Sequence, residues 1–447
     1  MGMVRFIHAA DLHLDSPFSG LGVDAPEIRD QLREATFGAL RNMVDLAIRR
    51  QVDFVVLAGD VFDVADRSLA AQIRLRDELT RLGERNIPTF IAHGNHDHCQ
   101  GWRASLQWPR QVHFFASDQV ERLPVIKNET RIAEVYGISH AGPALKENLA
   151  RRFRRGEGKL VLGASSPWSS SLEVALGNAA EPVPAIAVLH ANLGGATGHE
   201  DYAPCRLEDL ARGRMDYWAL GHVHNRTEVE EQGVCAVYPG NTQGRNIKER
   251  GEKGCYLITI DGQRVIGREF IPLHCWRWEL VRVDASSASS LQDLEEAVKV
   301  ALEDCLSGAA GSSVIARIEV TGRTQVHREL AKRGIREALL SALREFGLGL
   351  GAAGPGLIWP ENLIISTRRP LDLETLASGS DFVSEFIRTA REARQSPDWR
   401  VSLLAELDPV YQHRRVEELV GPIDEEMLHR LIDEAEALGL DLLVGED

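Results

Sequence analysis

Thiol chemistry has little to work with in this chain. The six cysteines, Cys99, Cys205, Cys235, Cys255, Cys275 and Cys305, stand singly with no C-x-x-C pair, which argues against a thiolate zinc site or dithiol redox couple and fits reduced, mostly buried thiols. No apolar run approaches the ~18 residues a membrane-spanning helix needs. The start, MGMVRFIHAADLH, lacks the basic, apolar, then small order of a secretory leader. The expected location is the cytoplasm, with no membrane partner. Positive charge is also short: 51 Lys and Arg against 66 Asp and Glu give −15, which at first disfavours a nucleic-acid partner. The shortage is uneven. Residues 381–447 hold 17 acidic and 7 basic side chains, a net of −10, so residues 1–380 carry only −5. Net charge leaves nucleic acid open as a substrate for the main body.

What is present is a globular composition, 44% hydrophobic and 26% charged over 447 residues, long enough for two to four domains. The first half alternates apolar β-type runs with helix-patterned segments, as expected of strands packed between helices. The predicted strands are Val4 to Ala10, Phe54 to Ala58, Pro88 to Ala92, Ala185 to His190 and Tyr217 to Leu220. A helix is expected from Ala25 to Arg50, where Leu32, Ala35, Leu40, Met43, Val44 and Ala47 recur at helical spacing. Cys235 to Tyr238, Cys255 to Ile260 and Val265 to Ile271 follow with turns and no helix, which predicts antiparallel strands.

From Trp276 the composition shifts. Strands at Trp278 to Val283, Ser313 to Val320 and Leu357 to Ser366, with helices at Leu291 to Leu306 and Gln325 to Phe346 and a Gly-rich stretch from Gly347 to Gly356, predict a small α/β unit. After Pro370 the chain reads as short amphipathic helices broken at Pro397, Pro409 and Pro422, with a last acidic helix from Asp424 to Leu438. The expected division is 1–275, 276–380 and 381–447.

Five apolar strands end in metal-ligand residue types: Asp11-Leu-His13, Gly59-Asp60, Gly94-Asn95-His96-Asp97, His190 and Gly221-His222-Val-His224. In open α/β sheets the binding crevice lies beyond the carboxyl ends of the strands, so residues scattered over two hundred positions can converge there. Period-two alternation would put Asp11 and His13 on the same side of one strand. Asp60 suits a bridge between two ions, Asn95 offers a neutral oxygen, and His222 and His224 again face one way. Asp, His and Asn ligation without thiolate favours manganese, iron or zinc. Two such ions activate a bridging hydroxide for in-line displacement at phosphorus, and the leaving alkoxide needs an acid. His96 fits that role, with Asp97 either orienting it or bracing the loop.

DLHLDS, GDVFD, GNHD, LHAN and GHVH, in that order, resemble the five motifs of the calcineurin-like metallophosphoesterase superfamily. GDVFD is closer to the SbcD-type DNA repair nucleases than to the protein phosphatases, whose second motif continues with an Arg absent after Asp63. FIHAADLHLDSPF, DYWALGHVH and YPGNTQGRNIKERGEKGC are similar to the YhaO-type branch. The resemblance implies an α/β sandwich of two mixed sheets flanked by helices, with a small α/β cap and a helical C-terminal tail. It implies Asp11, His13, Asp60 and His224 around one metal, and Asp60, Asn95, His190 and His222 around the second. His96 would assist the leaving group without binding metal, and manganese would be the activating ion. It also implies DNA as substrate in repair, an exonuclease or endonuclease activity, a dimer, and an SbcC-like coiled-coil ATPase docking on the C-terminal region. Two rivals stay open: hydrolysis of small nucleotide phosphodiesters, and a non-catalytic metal-binding regulatory protein.

Other residues carry weaker expectations. His93 is not expected to bind metal, His8 should pack in its strand, and Tyr217 and Trp218 read as core. Asp15 and His199 are candidates for outer roles near the metals. Arg151, Arg152, Arg154, Arg155 and Lys159, and a second set of Arg245, Lys248, Arg250 and Lys253 close to the last metal motif, are candidate phosphate contacts against the alternative of solvated surface runs. Phe382, Phe386, Leu403, Leu404 and Leu407 would either meet a partner helix or close the chain's own helical unit.

Overall fold

The computed structural model describes residues 2–16, 18, 26–63, 68–161, 182–194, 202–354, 356–411 and 425–444. Its body is built from β1 (Val4–Ala9), β2 (Phe54–Ala58), β3 (Thr89–Ala92), β4 (Val112–Phe114), β5 (Glu121–Lys127), β6 (Thr130–Gly137), β7 (Lys159–Leu160), β8 (Ala185–His190), β9 (Tyr217–Gly221), β10 (Thr227–Glu231), β11 (Val234–Tyr238), β12 (Gly254–Asp261) and β13 (Arg264–Pro272). One sheet has the order β13-β12-β1-β2-β3-β4 and the other β10-β11-β9-β8-β6-β5-β7.

Strands β1 to β4 run parallel, and β12 pairs antiparallel with both β1 and β13. The expected antiparallel closure is thus present, and Val234–Tyr238 runs antiparallel to β10 and parallel to β9. Strands β4 to β7 are not among the predicted strands. Pro124 argues against a strand at β5, yet it lies past the short β7, whose pairing with β5 stops at Arg122, so its missing N–H leaves no rung of that ladder unmade.

The sheets face each other across a core of Phe6, Phe54, Phe90, Ile186, Val188 and Tyr217. Phe6 and Phe54 stack at 4.6 Å. Each fully buried aromatic or aliphatic side chain stabilises the sandwich by roughly 1.5–3 kcal/mol, so the strand ends are held on a stiff platform. The helices Pro26–Arg50 (α1) and Leu69–Glu84 (α2) cover the outer face of the first sheet through Leu40, Met43, Leu75 and Leu79. Trp218, Phe153, Tyr136 and Leu210 fill the outer face of the second. Tyr217 and Trp218 are core, and His8, also buried, shares a 2.9 Å hydrogen bond with the Tyr217 hydroxyl. None of the six cysteines is in a disulfide, and only Cys99 is exposed.

A third sheet holds the parallel strands β14 (Trp276–Asp284), β15 (Ser313–Thr321) and β16 (Ile358–Ile365) in that order. Its inner residues, Val314, Ile318 and Leu363, pack on Val298, Leu302 and Leu343 of the covering helices. Trp276, Trp278 and Trp359 join this unit to Ile28, Leu32 and Ala35 of α1. The helix expected from Gln325 to Phe346 is two, His327–Leu330 and Ile335–Ala353, separated at Gly334, whose φ of +87° is left-handed. The second runs on into the Gly-rich stretch expected to lie beyond the helix. A Cβ on Gly347 would stand 2.0 Å from the Ile358 carbonyl oxygen, so glycine here permits helix and strand to touch.

Beyond it, Asp381 caps the helix Phe382–Gln395 by accepting the Ser384 N–H. Pro397 opens the next helix, Pro397–Tyr411, where its fixed φ suits a first turn, and Pro409 lies in the last turn instead of breaking it. The last helix, Glu425–Leu443, packs Leu428 and Ile432 on Ala393, Leu403 and Leu407. Pro422 and Asp424 lie outside the described residues. Among the described residues no helix is long and apolar enough to cross a membrane.

Candidate metal centre

The ends of β1, β2, β3, β8 and β9 meet at one edge of the sandwich. The chain turns there through left-handed backbone: φ is 53° at Asp11, 43° at His13, 48° at Asp60 and 106° at His222. Each such non-glycine residue costs of order 1–3 kcal/mol and persists only where its surroundings enforce it. Here the Asp11 N–H donates to the Gly59 carbonyl at 3.1 Å, the His13 N–H to the Asp60 carbonyl at 3.0 Å, and the His222 N–H to both Asp11 carboxylate oxygens at 3.1 Å. Asp11 and His13 therefore converge through turn geometry beyond the end of β1, and not through the strand alternation expected of D-x-H. Gly59, at φ 94°, is required twice over, since a Cβ there would lie 2.3 Å from His190 Nδ1.

All seven expected ligands reach this edge. Ligand atoms of Asp11, His13 and His224 lie within 4.8 Å of one another, as do those of Asp11, Asp60 and His190. Asp60 Oδ2 stands 3.3 Å from His190 Nε2 and 3.9 Å from His13 Nε2, so this carboxylate links the two groups. Asn95 Oδ1 is 3.0 Å from His190 Nε2, and the His222 ring centroid is 5.2 Å from that of His190.

Whether these donors suit cations is decided by where their lone pairs point. His224 Nδ1–H donates to Glu249 at 2.8 Å and His13 Nδ1 stands 3.0 Å from Asp63, which leaves the two Nε2 lone pairs facing one another at 3.2 Å. His190 Nδ1–H donates to the Ala58 carbonyl at 3.0 Å and turns its Nε2 toward Asp60 and Asn95. Carboxylates or carbonyls behind ligand histidines fix the tautomer that presents a lone pair to metal. The set fits two divalent ions.

Charge makes the same case. Burial pushes the Asp11 carboxyl up to about 6, against the pull of His190 and His224. Burial would also raise Asp60, but His190, His13 and His96 outweigh it and hold that carboxyl well below the usual range. Burial lowers His13 to about 4; at His190 it is overcome by Asp60 and Asp11, which lift the imidazole to about 9. The metal-free chain thus keeps a proton on His190 where buried carboxylates call for positive charge.

His96 is exposed at the rim, in a third group with His13 and Asp63. Its N–H donates to Asp60 Oδ1 at 3.0 Å and its ring Nδ1–H to the Asp63 carbonyl at 2.7 Å. The Asp63 carbonyl therefore orients His96, and of the two roles open to Asp97 from sequence its contacts show the brace. The buried Asp97 carboxylate accepts the N–H groups of Gly94 at 2.7 Å and Val61 at 3.1 Å and meets His93 Nδ1 at 3.2 Å, which is a loop brace and the partner of His93. Asp15 is exposed at φ 65°, and His199 lies outside the described residues.

Two carboxylates behind the ligands were not singled out from sequence. Asp63, whose position in GDVFD was the available signal, and Glu249 are bridged by Arg245, which stands 2.7 Å from Asp63 and 3.4 Å from Glu249. Arg245 is thus an internal brace with a 13% exposed side chain, a correction to its reading as a phosphate contact. Lys253 is likewise buried and donates to the His224 carbonyl at 2.9 Å. Lys248 and Arg250 are exposed on either side of Glu249. In the other basic cluster Arg151 pairs with Asp209, Arg152 with Glu147, and Arg154 donates to the Phe153 carbonyl. Arg155 holds Asp216 and the Val183 carbonyl. These two precede β9 and β8, so Arg155 sits at the strand ends opposite the ligands.

Comparison with known proteins agrees with this geometry. Residues 4–226 match the model of the calcineurin-like phosphoesterases, and residues 278–368 that of the middle domain of metallophosphoesterase YhaO. The chain is 38% identical to the uncharacterized metallophosphoesterase YhaO of Bacillus subtilis, over 83% of this chain and 84% of that one. It is 27% identical to the DNA double-strand break repair protein Mre11 of Sulfurisphaera tokodaii, over 59% of this chain and 61% of the relative. The protein of the same description from Methanosarcina mazei is 36% identical over 63% of this chain and 40% of its own length.

Proposed function

The chain belongs to the calcineurin-like phosphoesterase family, and from that premise we propose that it is a manganese-dependent phosphodiesterase that cleaves DNA in repair. The observation that carries the reading is the convergence of two ligand groups on Asp60 beneath the exposed His96. Asp11, His13, Asp60 and His224 would hold one ion, and Asp60, Asn95, His190 and His222 the other. Bound there, two divalent ions supply an activated water and positive charge against the phosphoryl oxygens. The chain supplies the rest. Asp63 and Glu249 fix the His13 and His224 rings, and the Asp63 carbonyl takes Nδ1–H of His96. Nε2 of His96 is then the atom that hands a proton to the leaving alkoxide.

DNA as substrate is supported by the relatives described as double-strand break repair proteins and by Lys248 and Arg250, exposed beside the carboxylate that holds His224. The proposed partner is an SbcC-like coiled-coil ATPase meeting the C-terminal helices. Leu403 and Leu407 pack inside that unit, whereas Phe382 is 69% exposed and Val401 68%, which leaves the latter for a partner helix.

The test compares end-labelled DNA with bis-p-nitrophenyl phosphate in manganese, with and without His96→Ala. Degradation of DNA that His96→Ala abolishes while metal stays bound supports the reading. Cleavage of the small diester alone overturns DNA as the substrate of the isolated chain.

A further inference from the structure

The cap sheet has a crevice of its own. Its three strands are parallel, and the carboxyl ends of β15 and β16 open into a cavity of about 450 Å³ lined by His327, Ser366, Thr367, Arg368, Arg369 and Asp441. In open α/β sheets this edge is where ligands bind, and the volume suits a small polar ligand or one unit of a polymer.

The chemistry of the lining is that of an anion site. Arg323 pairs with Asp441 at 3.0 Å, and Arg368 pairs with the same carboxylate. Asp441 belongs to the last helix, so the chain's own anion already sits between two guanidinium groups. Arg369 has no such partner among the described residues. Its Nη2 is enclosed by the protein without a hydrogen-bond acceptor among the described residues, so Arg369 meets the cavity through the rest of its side chain. Among the described residues the lining holds two arginines against one aspartate, a local charge of +1 in a chain of −15, with Arg323 behind Asp441. The hydroxyls of Ser366 and Thr367 stand beside these cations, and the Thr367 hydroxyl is 3.0 Å from His327 Nδ1. Guanidinium forks with flanking hydroxyls match the oxygens of a phosphate better than a single carboxylate does.

We propose that this cavity in the cap is a phosphate-binding site, with Arg368 and Arg369 as its cationic lining and Asp441 as the internal anion that phosphate competes with. The site stands apart from the metal ligands, so it holds or fails independently of the phosphodiesterase reading. The phosphate can come from a nucleic-acid backbone or from a free phosphate-bearing molecule, and the two sources are separable.

The experiment uses the full chain in EDTA, so that no metal can bind phosphate. Inorganic phosphate and a short single-stranded oligonucleotide are titrated separately, by calorimetry, into the wild type, Arg369→Ala, Arg369→Lys and Asp441→Asn. Arg369→Ala should weaken binding by at least about tenfold, the worth of one charge-assisted hydrogen bond, with partial recovery in Arg369→Lys. Asp441→Asn should change binding in the opposite direction, tightening it by removing the competitor, which keeps the test meaningful if an arginine variant folds poorly. Arg369-dependent binding of inorganic phosphate assigns the site to a free ligand, and Arg369-dependent binding of the oligonucleotide alone assigns it to a backbone. Binding of neither probe, or binding that Arg369→Ala and Asp441→Asn both leave unchanged, overturns the proposal.

Discussion

The Nε2 atoms of His13 and His224 stand 3.2 Å apart, though 211 positions separate the two residues in the chain. Each ring is backed by a carboxylate, Asp63 for His13 and Glu249 for His224, and Arg245 bridges the two carboxylates. The lone pairs are thus aimed before any ion arrives. Glu249→Gln should keep the fold and lower manganese affinity by roughly 10–100-fold, as removal of a carboxylate behind a ligand histidine does elsewhere. Calorimetric titration with manganese reads this directly, and an unchanged affinity would show that Glu249 does not position His224.

Metal affinity should rise with pH. Despite burial, Asp60 and Asp11 raise His190 to about 9, so below that pH an entering ion must displace its proton. Affinity should climb up to about tenfold per pH unit between 7 and 9 and then level, with close to one proton released per chain on binding. Stability of the metal-free chain should run the other way. The raised pKa contributes stability that is complete below about 6.5, the unfolded value, and is lost as pH passes through about 9. Urea midpoints in EDTA from pH 6 to 9.5 check the sign; a midpoint that rises over this range contradicts it.

His96→Ala should leave both ions bound, because His96 lies outside the seven ligands, and slow DNA cleavage by roughly 10²–10⁴-fold, the usual worth of a positioned acid. Bis-p-nitrophenyl phosphate should be affected less, since nitrophenolate leaves without a proton. Equal losses on both substrates would assign His96 to binding instead of proton transfer.

Gly59→Ala should destabilise the chain by about 2–4 kcal/mol, combining left-handed strain with a clash. The new Cβ would meet the His190 ring at 2.3 Å, so metal binding should fall with stability. A thermal midpoint within a degree of wild type would refute the close approach.

Charge removal at Lys248 and Arg250 should weaken DNA binding and flatten its dependence on log salt by about one unit for each phosphate that is no longer neutralised, with small-diester turnover intact. An unchanged salt slope would remove these residues from the DNA path.

The ligands were legible because each ends an apolar strand, and residues such as Val55, Leu57 and Val188 mark those strands by being buried on both faces. Asp63 and Glu249 were not, because nothing in a local pattern tells a carboxylate that backs a histidine from one that faces water; only the fold brings Glu249 to His224. Arg245 misled for the same reason: in sequence it belongs to a basic run, and in space it is enclosed by Asp63, Glu249 and Ser16. D-x-H misled because alternation assumes extended backbone, and Asp11 and His13 are left-handed. Gly347, Gly349 and Gly351 were placed beyond the helix, since the close helix and strand that require Gly347 are visible only in three dimensions.

The proposed function stands or falls on one chain holding two divalent ions through a shared Asp60. Its most direct test is the count of manganese bound per chain after dialysis against the metal and removal of excess, measured by plasma emission for the wild type and Asp60→Asn alongside hydrolysis of bis-p-nitrophenyl phosphate. Two ions and metal-dependent turnover are expected in the wild type, and loss of ions and turnover together in Asp60→Asn. One ion or none in an active wild type, or full turnover in EDTA, would contradict it.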